Sequence, residues 1–498
     1  MMETVFKYQS YENGIEITGA DADGGTLAVP QSIDGFAVVK IGASAFAGKG
    51  FNEVCLPDGL KEIGKSAFAR CKTLEKINLP QSLEAIGESA FESCSAMEEI
   101  SFGEGIKSIG NKAFSWCTAL KKADFPPKDF EMGEKVFSFC NCLREAVFKD
   151  GLTQIGKGAF SVCVGLERAV IPSSVKSIGV QSFEACGNLK IIEMAEGVEE
   201  ICGWAFRECR GVESIYIPHS VKKIGEGAFL GCTDLRRIRL SRGTDEISDW
   251  TFGKCRMLEE IEIPEGVRRI GNFAFSRCTG IKGFKLPDTL ESVGVSAFAV
   301  CDGTEEIAFG RNFKHFEEKS FEICRNLKTI TIPYTTEPFN SRVFYDCNSM
   351  VGINVIDKEG VKIFVPFIPK GFKFIKSLKN NGISWAEYDA MFSYAKKDMK
   401  TEMAFFRLEE RAELEYEAEE KYKAHIERNA KKIAEKIIEK NDFKRLSFMG
   451  DMGLIPEKHL ESLIDYSGKT ESACTGYLIN YRQKRFGRVK KAQSRFKL

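Results

Sequence analysis

Phenylalanine returns at one fixed interval from residue 46 to residue 344. It stands at 46, 68, 91, 114, 137, 160, 183, 206, 229, 252, 275, 298, 321 and 344. The first interval is 22 residues and the next twelve are 23. Cysteine follows three residues behind every member except the first, where Lys49 stands, so thirteen of the 17 cysteines share one repeat position. A period of this length is the signature of a solenoid. A single 23-residue unit cannot bury its apolar face alone, and only stacked neighbours can cover it.

One unit reads LEKINLPQSLEAIGESAFESC, from Leu74 to Cys94. Ile77 and Leu79 alternate with Lys76 and Asn78, the period-2 pattern of a half-buried strand. Pro80 ends that strand because it cannot donate to a ladder. Gly87 permits a tight bend before Ala90-Phe91. Fourteen such coils at ~4.8 Å per strand span at least ~65 Å. The bulkier Phe layer lies away from the strands, so the strand face is expected to be concave.

The units KIGASAFAG, LPDGLKEIGKSAFARC, IPSSVKSIGVQSFEAC and IPHSVKKIGEGAFLGC resemble the BspA-type leucine-rich repeat family in its 23-residue, treponemal-like form. GIEITG and VPQSIDGFAVVKIG, within Gly14–Gly42, resemble the family's usual entry. The resemblance covers about residues 10–355. It implies a curved right-handed leucine-rich-repeat solenoid of about 14 coils with short parallel strands, and a binding or adhesion role. Met132-Gly133, Phe316-Glu317 and Pro338-Phe339 replace the usual Ile-Gly pair. The last two departures predict a solenoid that loosens toward its C-terminal end.

The expected organisation is an N-terminal cap at 1–40, the solenoid at 41–350, a cap or linker at 351–383, an all-α region at 384–487 and a basic tail at 488–498. Asp357, Gly360 and Pro366 interrupt short apolar alternation, which predicts a hairpin-like cap. Ser384 is placed as the N-cap of WAEYDAMFSYAKK. Ile426, Ala430, Ile433 and Ile437 fall on one helix face, and Asn441-Asp442 ends that helix. Pro456 is placed at the first helical position, with Leu460, Leu463 and Ile464 facing one way. Thr470 is expected to cap the last helix. The spacing of these short helices loosely resembles ankyrin hairpins.

Lys plus Arg and Asp plus Glu each number 71, which excludes a chain-wide electrostatic footprint for nucleic acid or anionic membrane. The N-terminal residues show neither the basic nor the apolar region of a secretory signal. With an odd cysteine count, that predicts reduced thiols in the cytoplasm, or the cell surface if an export signal preceded Met1. The basic tail offers a nucleic-acid or lipid contact, although acidic residues from Glu409 to Glu420 offer it neutralisation within the chain.

The cysteine row is expected to fill space at a turn and, as the resemblance to leucine-rich repeats implies, to bond backbone, not to hold metal, because ligands must converge and a row does not. His219, His315, His425 and His459 have no nucleophile or ligand at motif spacing, and no phosphate-binding loop is present. The expectation is a non-catalytic scaffold for a protein partner, with no cofactor and no metal. Along the strand face, Glu53, Lys76, Glu99, Lys122, Glu145 and Arg168 alternate in sign, which predicts pairing across the ladder. Tyr216, His219, Arg237, Arg239 and Arg242 cluster over two coils in the mix that interfaces favour, and an acidic protein segment would suit them. Trp204, Trp250 and Phe273, two residues before the repeated Phe, are expected either to form an exposed aromatic row that contacts a partner or to be covered by the helical region or local loops. Trp116 and Phe139, two residues after it, raise the same expectation. An adhesin, or a nucleic-acid-associated protein acting through the tail, is the alternative.

Overall fold

The computed structural model describes residues 4–337, 339, 341–367, 385–395, 397–411, 413–470 and 472–487. Ser384, Pro338, the tail 488–498 and residues 368–383 of the expected 351–383 segment lie outside them. The chain divides into two compact units, Met1–Met350 and Val351–Leu498.

The first unit opens with an antiparallel hairpin of Phe6–Tyr11 and Gly14–Ala20. Gly14–Ala20 then pairs parallel with Phe36–Ile41. From there each coil contributes to two parallel ladders. The first is built from three- to five-residue strands such as Lys76–Asn78, Glu99–Ser101 and Lys122–Asp124. The second uses two-residue strands such as Ala85–Ile86 and Ser108–Ile109. The register advances by one repeat per coil, as in Glu99 opposite Lys122 and Ser108 opposite Glu131. The second ladder was not expected, since Ile86-Gly87 read as a bend. Two residues carry no period-2 pattern, and it is pairing with neighbouring coils that makes them a strand.

Between the ladders runs the phenylalanine column. All thirteen successive ring pairs are stacked, with centroids 5.1–5.7 Å apart. Every ring in the column is buried. Burial of one such side chain is worth about 2–3 kcal/mol, so the column supplies a large share of the driving force.

Each thiol behind the column donates to the carbonyl of the repeated Phe in the preceding coil. Cys94 Sγ lies 3.1 Å from Phe68 O, and Cys163 Sγ lies 3.0 Å from Phe137 O. The same carbonyl accepts its own coil's Cys N–H, as Cys71 N to Phe68 O at 3.2 Å. The thiols therefore tie successive turns together. Burial pushes the Cys117 and Cys232 thiols up to about 12, which suits neutral donors and not metal-binding thiolates.

The expected loosening near Phe316 does not occur. His315–Phe316 pairs in register with Ser292–Val293. Phe316 is buried against Phe309, Phe313 and Phe321. A larger ring fills the space of the usual Ile, and the coil closes around it.

The second unit begins with an antiparallel hairpin, Gly352–Ile356 against Lys362–Pro366. Asp357 Oδ1 closes its loop by accepting from Glu359 N at 2.8 Å and Val361 N at 2.7 Å. Among the described residues follow α1 (Trp385–Met391), α2 (Lys397–Glu410), α3 (Tyr416–Glu439), α4 (Phe443–Asp451), α5 (Glu457–Lys469) and α6 (Cys474–Phe486). Ile426, Ala430, Ile433 and Ile437 are buried along α3. Asp442 N-caps α4 through Arg445 N. Pro456 is the N-cap of α5, one residue outside the expected position. Thr470 does not cap α6. It ends α5, where its hydroxyl donates to Tyr466 O at 3.2 Å, and α6 begins after Ala473.

Candidate functional site

The strand face alternates by construction. In Arg237–Arg239 and Glu260–Glu262 the central Ile is buried and both flanking side chains are exposed. The expected sign-alternating pairs do not form on this face. Glu53 stands opposite Lys76 and Glu99 opposite Lys122, yet Lys122 reaches along its own strand to Asp124 at 2.7 Å. The ladder-pairing rows lie beside the strand face. Lys121–Glu98, Arg144–Glu167, Arg236–Glu259 and Lys328–Glu305 pair one coil apart at 2.6–3.0 Å. So do Lys61–Glu84 and Arg268–Glu291, at 3.0 and 3.1 Å. Two ammonium groups, Lys107 and Lys61, hold the Glu84 carboxyl down to about 2.

Arg237, Arg239 and Arg242 gather three cations within one coil of this face. Among the described residues none of the three guanidiniums forms an ion pair. Arg239 stands opposite Tyr216 in the ladder and places its guanidinium 5.6 Å from the phenol ring centre. Tyr216, 42% exposed, meets His219 edge-to-face at 6.2 Å. His219 is fixed from below: its N–H and that of Ser220 each donate to the Glu196 carboxylate at 3.0 Å. Those two N–H groups hold that carboxyl below its usual range. The five residues predicted from the sequence thus line one depression of about 840 Å³.

The depression is not uniformly basic. Glu260, Glu262, Glu265 and Lys285 complete its wall. A second hollow of about 640 Å³ shares Arg237, Glu260 and Lys285 with it, and continues over Gly283, Phe284, Glu306 and Ala308. It lies where ladder pairing is interrupted between Gly283–Lys285 and Glu306–Ala308. Sequence reasoning missed this extension. Its only signal was Gly283, a residue without a side chain in a row otherwise mostly charged or polar.

The aromatic row proves half-buried, not exposed. Trp204, Trp250 and Phe273 each adopt a left-handed backbone, with φ between 55° and 59°. Trp204 lies across Gly227 of the next coil, where a Cβ would fall 2.5 Å from its Nε1. Trp250 stacks on Phe273 at 4.2 Å. Each ring is thus covered by the neighbouring turn. Trp116 stacks on Phe139 at 4.1 Å and remains 45% exposed.

Among the described residues no group of His, Cys, Asp and Glu is arranged to hold a metal. Among them, too, no helix is long and apolar enough to cross a membrane.

A repeat that stacks phenylalanines, ties each thiol to the preceding coil and presents short parallel strands matches one family model, the BspA type leucine-rich repeat region. Six copies match, over residues 39–167, 153–265 and 245–362. The chain belongs to this family. The chain is also similar to solved structures. A leucine-rich repeat protein from Bacteroides ovatus is 24% identical with a TM-score of 0.58, covering 72% of this chain and 99% of that one. A leucine rich cell surface protein from Faecalibacterium prausnitzii is 20% identical with a TM-score of 0.41, covering 70% and 93%. The leucine-rich repeat protein of T. pallidum is 28% identical with a TM-score of 0.32, covering 46% and 87%. No curated protein matches the chain by sequence. The first of these likenesses bears on the fold alone, and BspA-type membership is consistent with a protein-interaction scaffold.

Proposed function

We propose that this chain is a non-catalytic scaffold that binds a protein through its strand face, centred on Tyr216, His219, Arg237, Arg239 and Arg242. The observation that carries this reading is the cluster of three guanidiniums without ion pairs beside an exposed tyrosine on the strand face. Arg and Tyr are the side chains that anchor interfaces, and preformed strands spare the cost of ordering them. Thirteen thiols acting as hydrogen-bond donors suit a reducing, cytoplasmic compartment.

The test is capture of partners from a lysate of the source cells by the full chain and by the Arg237→Glu/Arg239→Glu variant, with and without nuclease. A single protein retained by the first and lost from the second, unaffected by nuclease, is expected. Equal retention by both removes this face from consideration. Recovery abolished by nuclease favours a nucleic-acid role instead.

A further inference from the structure

The two hollows join into one trough whose charges come in bands. Moving along the solenoid axis, Arg237, Arg239 and Arg242 form a positive band. The next strand carries Glu260 and Glu262, with Glu265 beyond it, all lining the same wall. Both carboxylates are exposed, but Glu260 is engaged by Lys285 at 2.8 Å, which leaves Glu262 as the carboxylate of that strand without an ion pair among the described residues. Then the surface drops. Gly283 carries no side chain, Ala308 is small, and Phe284, in the inward position, is only half-buried. Its ring stands edge-on to Phe275 and Phe298, at 5.3 and 4.7 Å. An aromatic floor beneath a glycine and an alanine is a socket for one apolar side chain.

These bands have spacings that an extended peptide can match. Strands lie ~4.8 Å apart, while alternate residues of an extended chain lie ~6.8 Å apart on one face. The Arg-to-Glu step is ~5 Å and the Arg-to-socket distance ~12 Å, against ~7 and ~14 Å for residues two and four apart. We propose that the trough recognises an extended peptide segment lying across the strands, with an acidic residue, a basic residue two positions on and an apolar residue two further on. The acidic residue meets the Arg band, the basic one meets Glu262 and the apolar one fills the socket over Phe284. This deepens the scaffold reading and rests on it, and it replaces a uniformly acidic partner with a bipolar one.

The probe is a library of random linear peptides displayed on phage and selected on the full-length chain. Enrichment of the acidic–x–basic–x–apolar spacing, in either chain direction, is expected. Affinity of the enriched peptide should fall at least about tenfold with Arg239→Glu and with Ala308→Trp, which fills the socket. Glu262→Arg should switch the preferred middle residue from basic to acidic, a gain that misfolding cannot produce. Enriched peptides that lack the spacing, or ignore Ala308→Trp, overturn the inference. If those peptides still fail to bind Arg237→Glu/Arg239→Glu, the scaffold reading survives it. Peptides indifferent to every variant overturn both.

Discussion

A cysteine in this solenoid is a hydrogen-bond donor before it is a thiol. The carbonyl of each repeated Phe has two lone pairs, and a buried oxygen left half-satisfied costs free energy. From Phe68 to Phe321 the Cys N–H of its own coil takes one, and the Sγ–H of the next coil takes the other. Ser would offer the same bond with a smaller, more polar atom, so sulfur suits a slot that is also apolar. The consequence is readable by thiol titration. Of the 17 cysteines, Cys55 and Cys142 are exposed and Cys202 is partly so. Ellman's reagent is expected to label the first two quickly, Cys202 slowly, and the buried fourteen only after unfolding. Fast labelling of more than three thiols in the native chain would contradict the buried donor row. The thiolate is the reactive form, and burial raises the cost of making it, as at Cys71, pushed up to about 11.

At the scale of elements, the helices of the second unit depend on one buried ion pair. Arg407 of α2 is fully buried and grips Asp389 of α1 with Nε at 2.7 Å and Nη2 at 2.9 Å. Tyr422 of α3 donates to the same carboxylate at 2.6 Å, and the Trp385 ring lies 4.4 Å from the guanidinium. Burial and the bond to Asp389 keep the Tyr422 phenol protonated far above its usual range. Asp389→Ala would strand a buried cation and is expected to cost about 3–5 kcal/mol. Asp389→Leu together with Arg407→Met removes both charges and should cost distinctly less. Urea denaturation followed by helical circular dichroism compares the two. Equal losses would mean that the pair contributes through packing and not through charge.

The whole molecule is ordered by repetition, which makes the first unit nearly one-dimensional. Each coil touches its neighbours through rings, thiols and two ladders, so removing one complete coil should leave the next pair in register. Deletion of residues 145–167 removes 23 residues, one period of the phenylalanine row. That variant is expected to keep a cooperative thermal transition with only a modest loss of stability. Deleting eleven residues from residue 145 onward puts strand against turn and should abolish the transition. Equal tolerance of both deletions would refute a register-dependent stack.

The period of 23 determined the solenoid and its burial pattern, because a repeat has only one way to cover its apolar face, while the acceptor of each cysteine thiol came from the structure. Tyr216, Arg237 and Arg239 were legible for the same reason, since strand alternation settles which side chains point outward, and His219 and Arg242 followed from their place just after those strands. Tertiary structure decided the rest. The second ladder exists only through pairing between coils, and Ala85-Ile86 alone carries no strand signal. Trp204 looks exposed in sequence, and only Gly227 one turn later reveals what covers it. Whether Lys122 pairs with Glu99 or with Asp124 depends on reach and not on sign. The hollow over Phe284 arises from three residues on two strands. Periodicity fixes where a side chain starts, and the neighbouring coil fixes where it ends.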